Sequence, residues 1–341
     1  MSTAGIPDLT IGLIGAGTIA HAHVPAWKAL GARVLIYSLE GGHELASQYD
    51  LEVVDSLDEL LERASFVDIV TPSVTHKDLA MRAIAAGRQV ICEKPLTLTA
   101  ADSQELLDAA ATAGVRIYPA HVVRFFPAYV TAHDAVREGK IGNVAVARYF
   151  RATAWPAIQS WYQDEARSGG VIMDLMVHDL DQARWICGEV ASVYAVQSPP
   201  TVEGIVPTFV SAHVTLTHTN GAISHLRATW GAPGTSFKTS FSIAGDKGVL
   251  RFSSTVGTGL EEDLQEPLHV DLLVPSSEPY ESPYLTQLRE FAQAFQGGAE
   301  PRVNALDGAA AVYLAQAARQ SMASGKTVDL KSFDPQNGAA A

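Results

Sequence analysis

A chain of 341 residues with 47% hydrophobic and 18% charged residues is a globular protein too long for one ordinary core, so two domains are expected. Its formal net charge of −13, from 24 Lys and Arg against 37 Asp and Glu, excludes the broad basic surface that nucleic acid or an anionic membrane requires. A small anionic ligand held by a few local groups stays compatible with that balance.

The two cysteines, Cys92 and Cys187, lie in apolar runs far apart and read as buried free thiols in a reducing compartment. The opening MSTAGIPDLT has neither the basic region nor the apolar core of a signal peptide. No apolar run approaches the ~20 residues of a bilayer span. A cytoplasmic location is therefore expected.

In chain order, strand-like Thr10–Ile14 is followed by helical Ala20–Leu30, strand-like Val34–Tyr37 and helical Glu44–Tyr49. Phe66–Val70 reads as a strand, Lys77–Ala86 as a helix, Gln89–Cys92 as a strand, Ala100–Ala113 as a helix and Val115–Tyr118 as a strand. Short apolar strands alternating with helices imply right-handed crossovers and a doubly wound parallel sheet, an α/β fold. From about residue 122 the pattern changes. Val144–Arg151, Ser192–Gln197, Phe209–Thr217, Ala222–Trp230 and Ser236–Ile243 alternate polar with apolar residues, and His218-Thr219-Asn220-Gly221 carries an Asn-Gly hairpin signal. These strands predict a large, mainly antiparallel sheet with one solvated or partner-covered face. Helices are expected over Val171–Cys187, Tyr284–Phe295 and Ala305–Ser321. The expected domains are 1–121 and 122–330, with helix 305–323 free to pack back on the first. Residues 253–282 are the least legible, and the tail from Phe333 to Ala341 is expected to be disordered.

Between the first strand and the first helix lies Gly15-Ala16-Gly17-Thr18-Ile19-Ala20. Gly15 suits a tight turn, Gly17 lets a pyrophosphate approach the backbone, and Ala20 permits close helix–strand packing, with Thr18 and Ile19 at the helix mouth. A plain tight turn is the alternative. The second strand ends in Ser38 where an acid commonly binds the adenosine ribose, and no arginine follows it, so NAD and NADP both stay open.

Gln89-Val90-Ile91-Cys92-Glu93-Lys94-Pro95 is a buried run closed by an acid, a lysine and a proline. Proline cannot donate to a strand ladder, so Lys94 falls at the carboxyl end of a strand, where open parallel sheets bind ligands. Further on, Gly169-Gly170 leads to Asp174 and His178, four apart on one helix face among the apolar Leu175, Met176 and Val177. An acid and an imidazole on an apolar segment need a polar environment. A cleft, a satisfied buried pair and a metal site would each supply one, but no third ligand with suitable spacing stands out, so no metal is expected.

These stretches resemble the glucose-fructose oxidoreductase / inositol dehydrogenase / rhizopine-catabolism (Gfo/Idh/MocA) family. The resemblance rests on GAGTIA at 15–20, on Asp68-Ile69-Val70-Thr71-Pro72 with His76, on Ala86–Pro95, on Arg124-Phe125-Phe126-Pro127, on Gly169-Gly170 with Asp174 and His178, and on Ala244-Gly245-Asp246-Lys247-Gly248. It implies an N-terminal Rossmann domain, a C-terminal α/β domain whose open sheet builds a homodimer or homotetramer, and NAD(P)-dependent hydride transfer at a hydroxyl-bearing carbon of a sugar, cyclitol or related polyol. It also implies that Lys94 lies beside the nicotinamide and the reacting oxygen, that His178 is the general acid/base, and that Asp174 orients it. Thr71 and Pro72 would line the nicotinamide side, Glu93 would contact the cofactor's ribose, and His76 would also belong to the cofactor site. Arg124, Trp161 and Arg167, with Trp155 and Tyr162, are the candidate substrate contacts. Two alternatives accompany this expectation: a non-catalytic dinucleotide-binding sugar sensor, and a reductase of ketones, dihydrodiols or imines.

Overall fold

The computed structural model describes residues 9–156, 160–255 and 281–330. The tail beyond 330 and most of the segment 253–282 lie outside the described residues. The chain divides into two compact units. One comprises 9–97, Ala101–Phe126 and 281–309, and the other comprises Leu98–Ala100, 127–156, 160–255 and 310–330.

In the first unit the chain runs β1 (Thr10–Ile14), α1 (Ala20–Ala29), β2 (Arg33–Tyr37), α2 (Gly42–Tyr49), β3 (Glu52–Val53), α3 (Leu57–Arg63), β4 (Phe66–Ile69), α4 (His76–Ala85), β5 (Gln89–Glu93), α5 (Ala100–Ala113) and β6 (Ile117–Ala120). The strands pair in parallel in the order β3-β2-β1-β4-β5-β6. Every residue of β4 and β6 is buried, as expected of strands covered by helices on both faces. Connections leave β1 in opposite directions toward β2 and β4, so the carboxyl ends of β1 and β4 form the switch point where such sheets bind ligands.

In the second unit α6 (Pro127–Arg137) leads to β7 (Val144–Ala154), α7 (Glu165–Ser168), a π-helical turn Ile172–Met176, α8 (Val177–Cys187), β8 (Val190–Ser198), β9 (Val210–His218), β10 (Ile223–Gly231), β11 (Lys238–Gly245) and β12 (Gly248–Ser253). After α9 (Pro283–Phe295) and α10 (Ala305–Ser324), β13 (Val328–Asp329) completes a seven-stranded sheet in the order β12-β11-β7-β10-β9-β8-β13. Only the β7–β10 pair is parallel. Strand β9 alternates strictly, with Val210, Ala212, Val214 and Leu216 buried between more exposed neighbours. Strands β7 and β11 meet the helices of this unit: Tyr129 on α6 meets Thr239 on β11 through a 2.7 Å hydroxyl contact, and Arg151 on β7 forms a buried two-point ion pair with Asp179 on α8.

One placement, that of α9, differs from the expected boundary at residue 122, while the start of α10 falls where the sequence left helix 305–323 free to pack back. Helix α9 belongs to the first unit: Phe291 and Phe295 stack on Tyr118 with centroids 5.2 and 4.8 Å apart. The start of α10 also falls in that unit, where a Cβ at Gly308 would come within 2.7 Å of Pro119. Tyr118 presents one large aromatic surface to a chain segment far away in sequence, and that pairing outweighs sequence order. Among the described residues no helix is long and apolar enough to cross a membrane.

Candidate active site

The first unit gathers the glycine loop and the Thr71 and Lys94 segments at the carboxyl ends of its parallel strands. Gly15 has φ +108°, and its N–H donates to the Tyr37 carbonyl at 3.0 Å. A Cβ there would meet Thr71 Cγ2 and the Val70 carbonyl oxygen at 2.9 Å, so both the conformation and the space demand glycine. A Cβ at Gly17 would meet nothing within 4 Å. The first turn of α1 carries no acid and no capping side chain. Open space over a glycine, beside a helix N-terminus free of negative charge, is what a pyrophosphate needs. The residues present thus fit a dinucleotide.

Lys94 is the one residue of 90–97 that is not buried. Its setting is a network the sequence does not announce. His23 on α1 reaches two carboxylates: Nδ1 lies 2.8 Å from Asp68 Oδ2 and Nε2 lies 3.1 Å from Glu93 Oε1. Trp27, one turn on, donates its indole N–H to the same Asp68 oxygen at 2.7 Å. Burial alone would push the His23 imidazole toward neutrality, but the charges and hydrogen bonds of Asp68 and Glu93 outweigh it and raise its pKa to about 10. His23 is therefore an imidazolium that donates from both nitrogens.

Glu93 was expected at a ribose. It is only 6% exposed and turned inward, with one oxygen taken by His23 and the other accepting the Lys94 amide N–H at 3.0 Å. A carboxylate with so little water around it must find donors inside the protein. His76, expected at the cofactor, is 1% exposed, with Nδ1 2.8 Å from the Pro95 carbonyl and Nε2 2.9 Å from the Thr71 carbonyl. Burial holds its pKa below the ordinary imidazole value. It ties together two loops rather than facing open space. Thr71 and Pro72 are half-exposed, and Thr71 touches the glycine-loop region. Ser38 donates its hydroxyl proton to the Glu40 carbonyl at 2.6 Å.

Arg124, expected at the substrate, is 1% exposed. Its guanidinium donates to the Arg302 carbonyl at 2.9 Å and to Asp307 at 3.1 Å. It is a framework residue of the first unit: a buried guanidinium is stable there only because these acceptors neutralise and satisfy it.

In the second unit the expected single helix Val171–Cys187 opens as the π turn Ile172–Met176, which holds Asp174, and continues as α8, which holds His178. Single π turns of this kind recur at functional sites. From residue 171 to 183 every side chain is buried except Asp174 and His178, both half-buried. Gly169, at φ +70°, starts the segment, and a Cβ there would lie 2.4 Å from that of Met173. Upstream, Trp161 stacks on Tyr162 at 3.9 Å, and Tyr162 meets Trp230 edge-on. Trp161 and Tyr162 are half-buried and Arg167 is exposed, while Trp155 packs edge-on against Trp230 in the core. A separate shallow concavity of about 360 Å³ lies on the sheet between Arg148, Ser242 and Arg251 and includes neither Asp174 nor His178. It is the open face of β7, β11 and β12.

Comparison with known proteins agrees with this geometry. Inositol 2-dehydrogenase of Rhizobium meliloti (strain 1021) is 27% identical over 340 residues, spanning 94% of this chain and 98% of that protein. The 1,5-anhydro-D-fructose reductase of Ensifer adhaerens is 38% identical over 188 residues, 52% of this chain and 56% of that relative. The crystal structure of GenD2 from gentamicin A biosynthesis in complex with NAD superposes with a TM-score of 0.81 at 26% identity, covering 95% of this chain and 97% of that one. Residues 9–121 match the family model described as an oxidoreductase family, NAD-binding Rossmann fold, and residues 129–251 match the GFO/IDH/MocA C-terminal domain. With both halves matched in order, and with the glycine cradle and the Lys94 turn in place, the chain belongs to the GFO/IDH/MocA family of NAD-binding oxidoreductases.

Proposed function

We propose that this protein is an NAD-dependent dehydrogenase or reductase that moves a hydride between the nicotinamide and a hydroxyl-bearing or carbonyl carbon of a sugar, cyclitol or related polyol. The observation that carries this reading is the selective exposure of Lys94, Asp174 and His178, each surrounded in sequence by buried residues. Three ionisable side chains are thereby kept partly accessible in otherwise buried surroundings. When bound, the dinucleotide supplies the hydride acceptor or donor. His178 takes the hydroxyl proton during oxidation and returns it during reduction. Asp174, one turn earlier, orients that imidazole. The Lys94 ammonium stabilises negative charge on the reacting oxygen. Trp161 and Arg167 are the proposed substrate contacts, a ring to stack on a sugar face and a guanidinium to bind an anionic substituent.

We assign NAD rather than NADP. The Ser38 hydroxyl proton is already donated to the Glu40 carbonyl, so its oxygen is left to accept from a ribose 2′-hydroxyl. Residues 38–42, Ser-Leu-Glu-Gly-Gly, offer no cation for a 2′-phosphate. The open face of the second sheet, with Tyr194, Val196, Ile223 and Val249 each about two-fifths exposed, is the proposed contact between copies in a homo-oligomer. Both cysteines are free and buried, which suits a reducing compartment.

The test is a screen of cyclitols, aldoses, ketoses and anhydro-sugars with NAD and NADP in both directions, read by the absorbance of reduced nicotinamide. Turnover with NAD supports the reading. NADH binding without turnover of any polyol or ketose would overturn it and leave the sensor.

A further inference from the structure

The Glu93-Lys94-Pro95 turn is gripped on both sides by a buried histidine from a different helix. On the amino side, the Glu93 carboxylate joins His23 Nε2, at 3.1 Å, to the Lys94 amide N–H, at 3.0 Å. The other ring nitrogen of His23 is anchored on Asp68 at 2.8 Å, and Asp68 is held in turn by Trp27. On the carboxyl side, His76 Nδ1 contacts the Pro95 carbonyl at 2.8 Å, and its Nε2 contacts the Thr71 carbonyl at 2.9 Å. His23 is fully buried and His76 is 1% exposed. Neither ring presents a nitrogen to solvent: those of His23 meet Asp68 and Glu93, those of His76 meet the Pro95 and Thr71 carbonyls, and the His23 ring also packs against Tyr284 with centroids 5.7 Å apart. Lys94 itself stays half-exposed. Its backbone is fixed before and after it.

We propose that His23 and His76 are positioning residues that aim Lys94, His23 through the Glu93 carboxylate and His76 through the Pro95 carbonyl. Neither touches the reacting atoms. Each joins the lysine turn to an element of the cofactor site: His23 sits on the helix that follows the glycine loop, and His76 reaches back to Thr71. A small displacement of a catalytic group is costly, since a misplacement of about 1 Å can lower a rate by ~10²-fold. The consequence for turnover rests on the role given to Lys94 above. The grip on the turn does not.

Side-chain amides separate a positioning role from mere loss of packing, because asparagine replaces the Nδ1 of histidine and glutamine replaces its Nε2. His23→Gln keeps the donor to Glu93 and loses Asp68, whereas His23→Asn does the reverse. At the other clamp, His76→Asn keeps the contact to Pro95 and His76→Gln keeps the one to Thr71. The proposal requires opposite orders at the two positions: glutamine better than asparagine at 23, asparagine better than glutamine at 76. Two readouts apply to the full chain. The first is kcat on the polyol turned over in the screen, alongside NADH affinity by fluorescence titration. The second is the NMR signal of Lys94 after reductive ¹³C-methylation, assigned with Lys94→Arg and independent of any substrate.

In His23→Asn and His76→Gln we expect kcat to fall by at least ~10-fold with NADH affinity retained, and the Lys94 signal to narrow toward those of exposed lysines. In His23→Gln and His76→Asn both properties stay nearer to the unsubstituted protein. The same amide preferred at both positions, or a Lys94 signal unchanged in all four variants, overturns the proposal. If no polyol is turned over but the Lys94 signals follow the opposite orders, the grip stands and the proposed activity fails.

Discussion

Glu93 receives His23 Nε2 at 3.1 Å on one oxygen and the Lys94 amide at 3.0 Å on the other. A single buried carboxylate therefore connects the helix after the glycine loop to the backbone of Lys94, the half-exposed residue that follows the fifth strand. Removing a buried carboxylate from its cation is costly on both sides, so the connection is rigid while His23 stays protonated.

That requirement sets a pH dependence. The folded-state pKa of His23, about 10, lies above the ordinary imidazole value of ~6.5. Its charge contributes fully below about pH 6.5, and the contribution is lost as the pH rises through the folded value. Burial pushes Glu93 up, but the His23 hydrogen bond and charge hold it below the ordinary carboxylate range, so its contribution is lost only in acid. Thermal unfolding followed by circular dichroism should show Tm falling by several degrees between neutral pH and about pH 10, and a flatter slope in His23→Gln. Parallel slopes would show that His23 carries no charge in the fold.

Lys94→Ala should lower kcat by ~10²–10³-fold through loss of the charge on the reacting oxygen. His178→Ala should lower it by ~10²–10⁴-fold through loss of proton transfer. NADH should bind both variants as it binds the parent protein, which fluorescence titration checks. Full turnover in either variant would remove that residue from the mechanism.

The proposed preference for NAD rests on Ser38. With its proton on the Glu40 carbonyl at 2.6 Å, the pocket should favour NAD over NADP by at least ~10-fold in kcat/KM, a difference of ~1.4 kcal/mol. Ser38→Asp should widen that ratio by adding an acceptor for a ribose hydroxyl and a charge against a phosphate. Steady-state kinetics with both cofactors decides it.

Gly15→Ala places a methyl 2.9 Å from Thr71 Cγ2 and the Val70 carbonyl oxygen at φ +108°. We expect a loss of ~1–3 kcal/mol of stability from the strained backbone, together with weaker NADH binding, since the same turn carries Gly17. Urea denaturation and cofactor titration measure the two effects separately.

In the second unit, Arg151 and Asp179 are 3% and 1% exposed and bonded at 3.0 and 2.8 Å. Asp179→Ala should cost ~3–5 kcal/mol by leaving a buried guanidinium unpaired. The double change Arg151→Met with Asp179→Leu should recover most of that loss. A double variant as unstable as the single one would show that the pair's geometry, rather than its uncompensated charge, is what matters.

The parallel sheet was legible because strands buried on both faces are continuous apolar runs, and Ile11–Ile14, Val34–Ile36 and Val90–Cys92 are such runs. The glycine loop was legible because its constraint is local: Gly15 needs positive φ wherever the rest of the chain lies. Helix α3 escaped notice although Ser56 and Glu59 spell a capping signal, and Ser56 Oγ accepts the Glu59 N–H at 3.1 Å. Strand β3, two residues long, has too little pattern to read. Helix α6 begins with Pro127, a sound first helical position, but it sits in the stretch between two domain patterns.

Lys94, Asp174 and His178, the residues proposed for the chemistry, stood out as residue types in improbable company, polar groups inside apolar runs. The roles expected of Glu93, His76 and Arg124 came from motif alone, and the structure turns all three inward. Their partners explain why no local pattern reveals this. Glu93 meets His23 across 70 residues, and Arg124 meets Asp307 across 183. The sequence by itself determined the two folding patterns, the glycine cradle and the polar residues kept half-buried at 94, 174 and 178, because periodicity, turn chemistry and the cost of burying a polar group act within a few residues. Only the tertiary structure decided which charges satisfy one another, which unit holds α9, and that two buried histidines grip the lysine turn. A buried charge takes whichever partner the packing of distant elements brings within 3 Å or so, and sequence separation does not encode that distance.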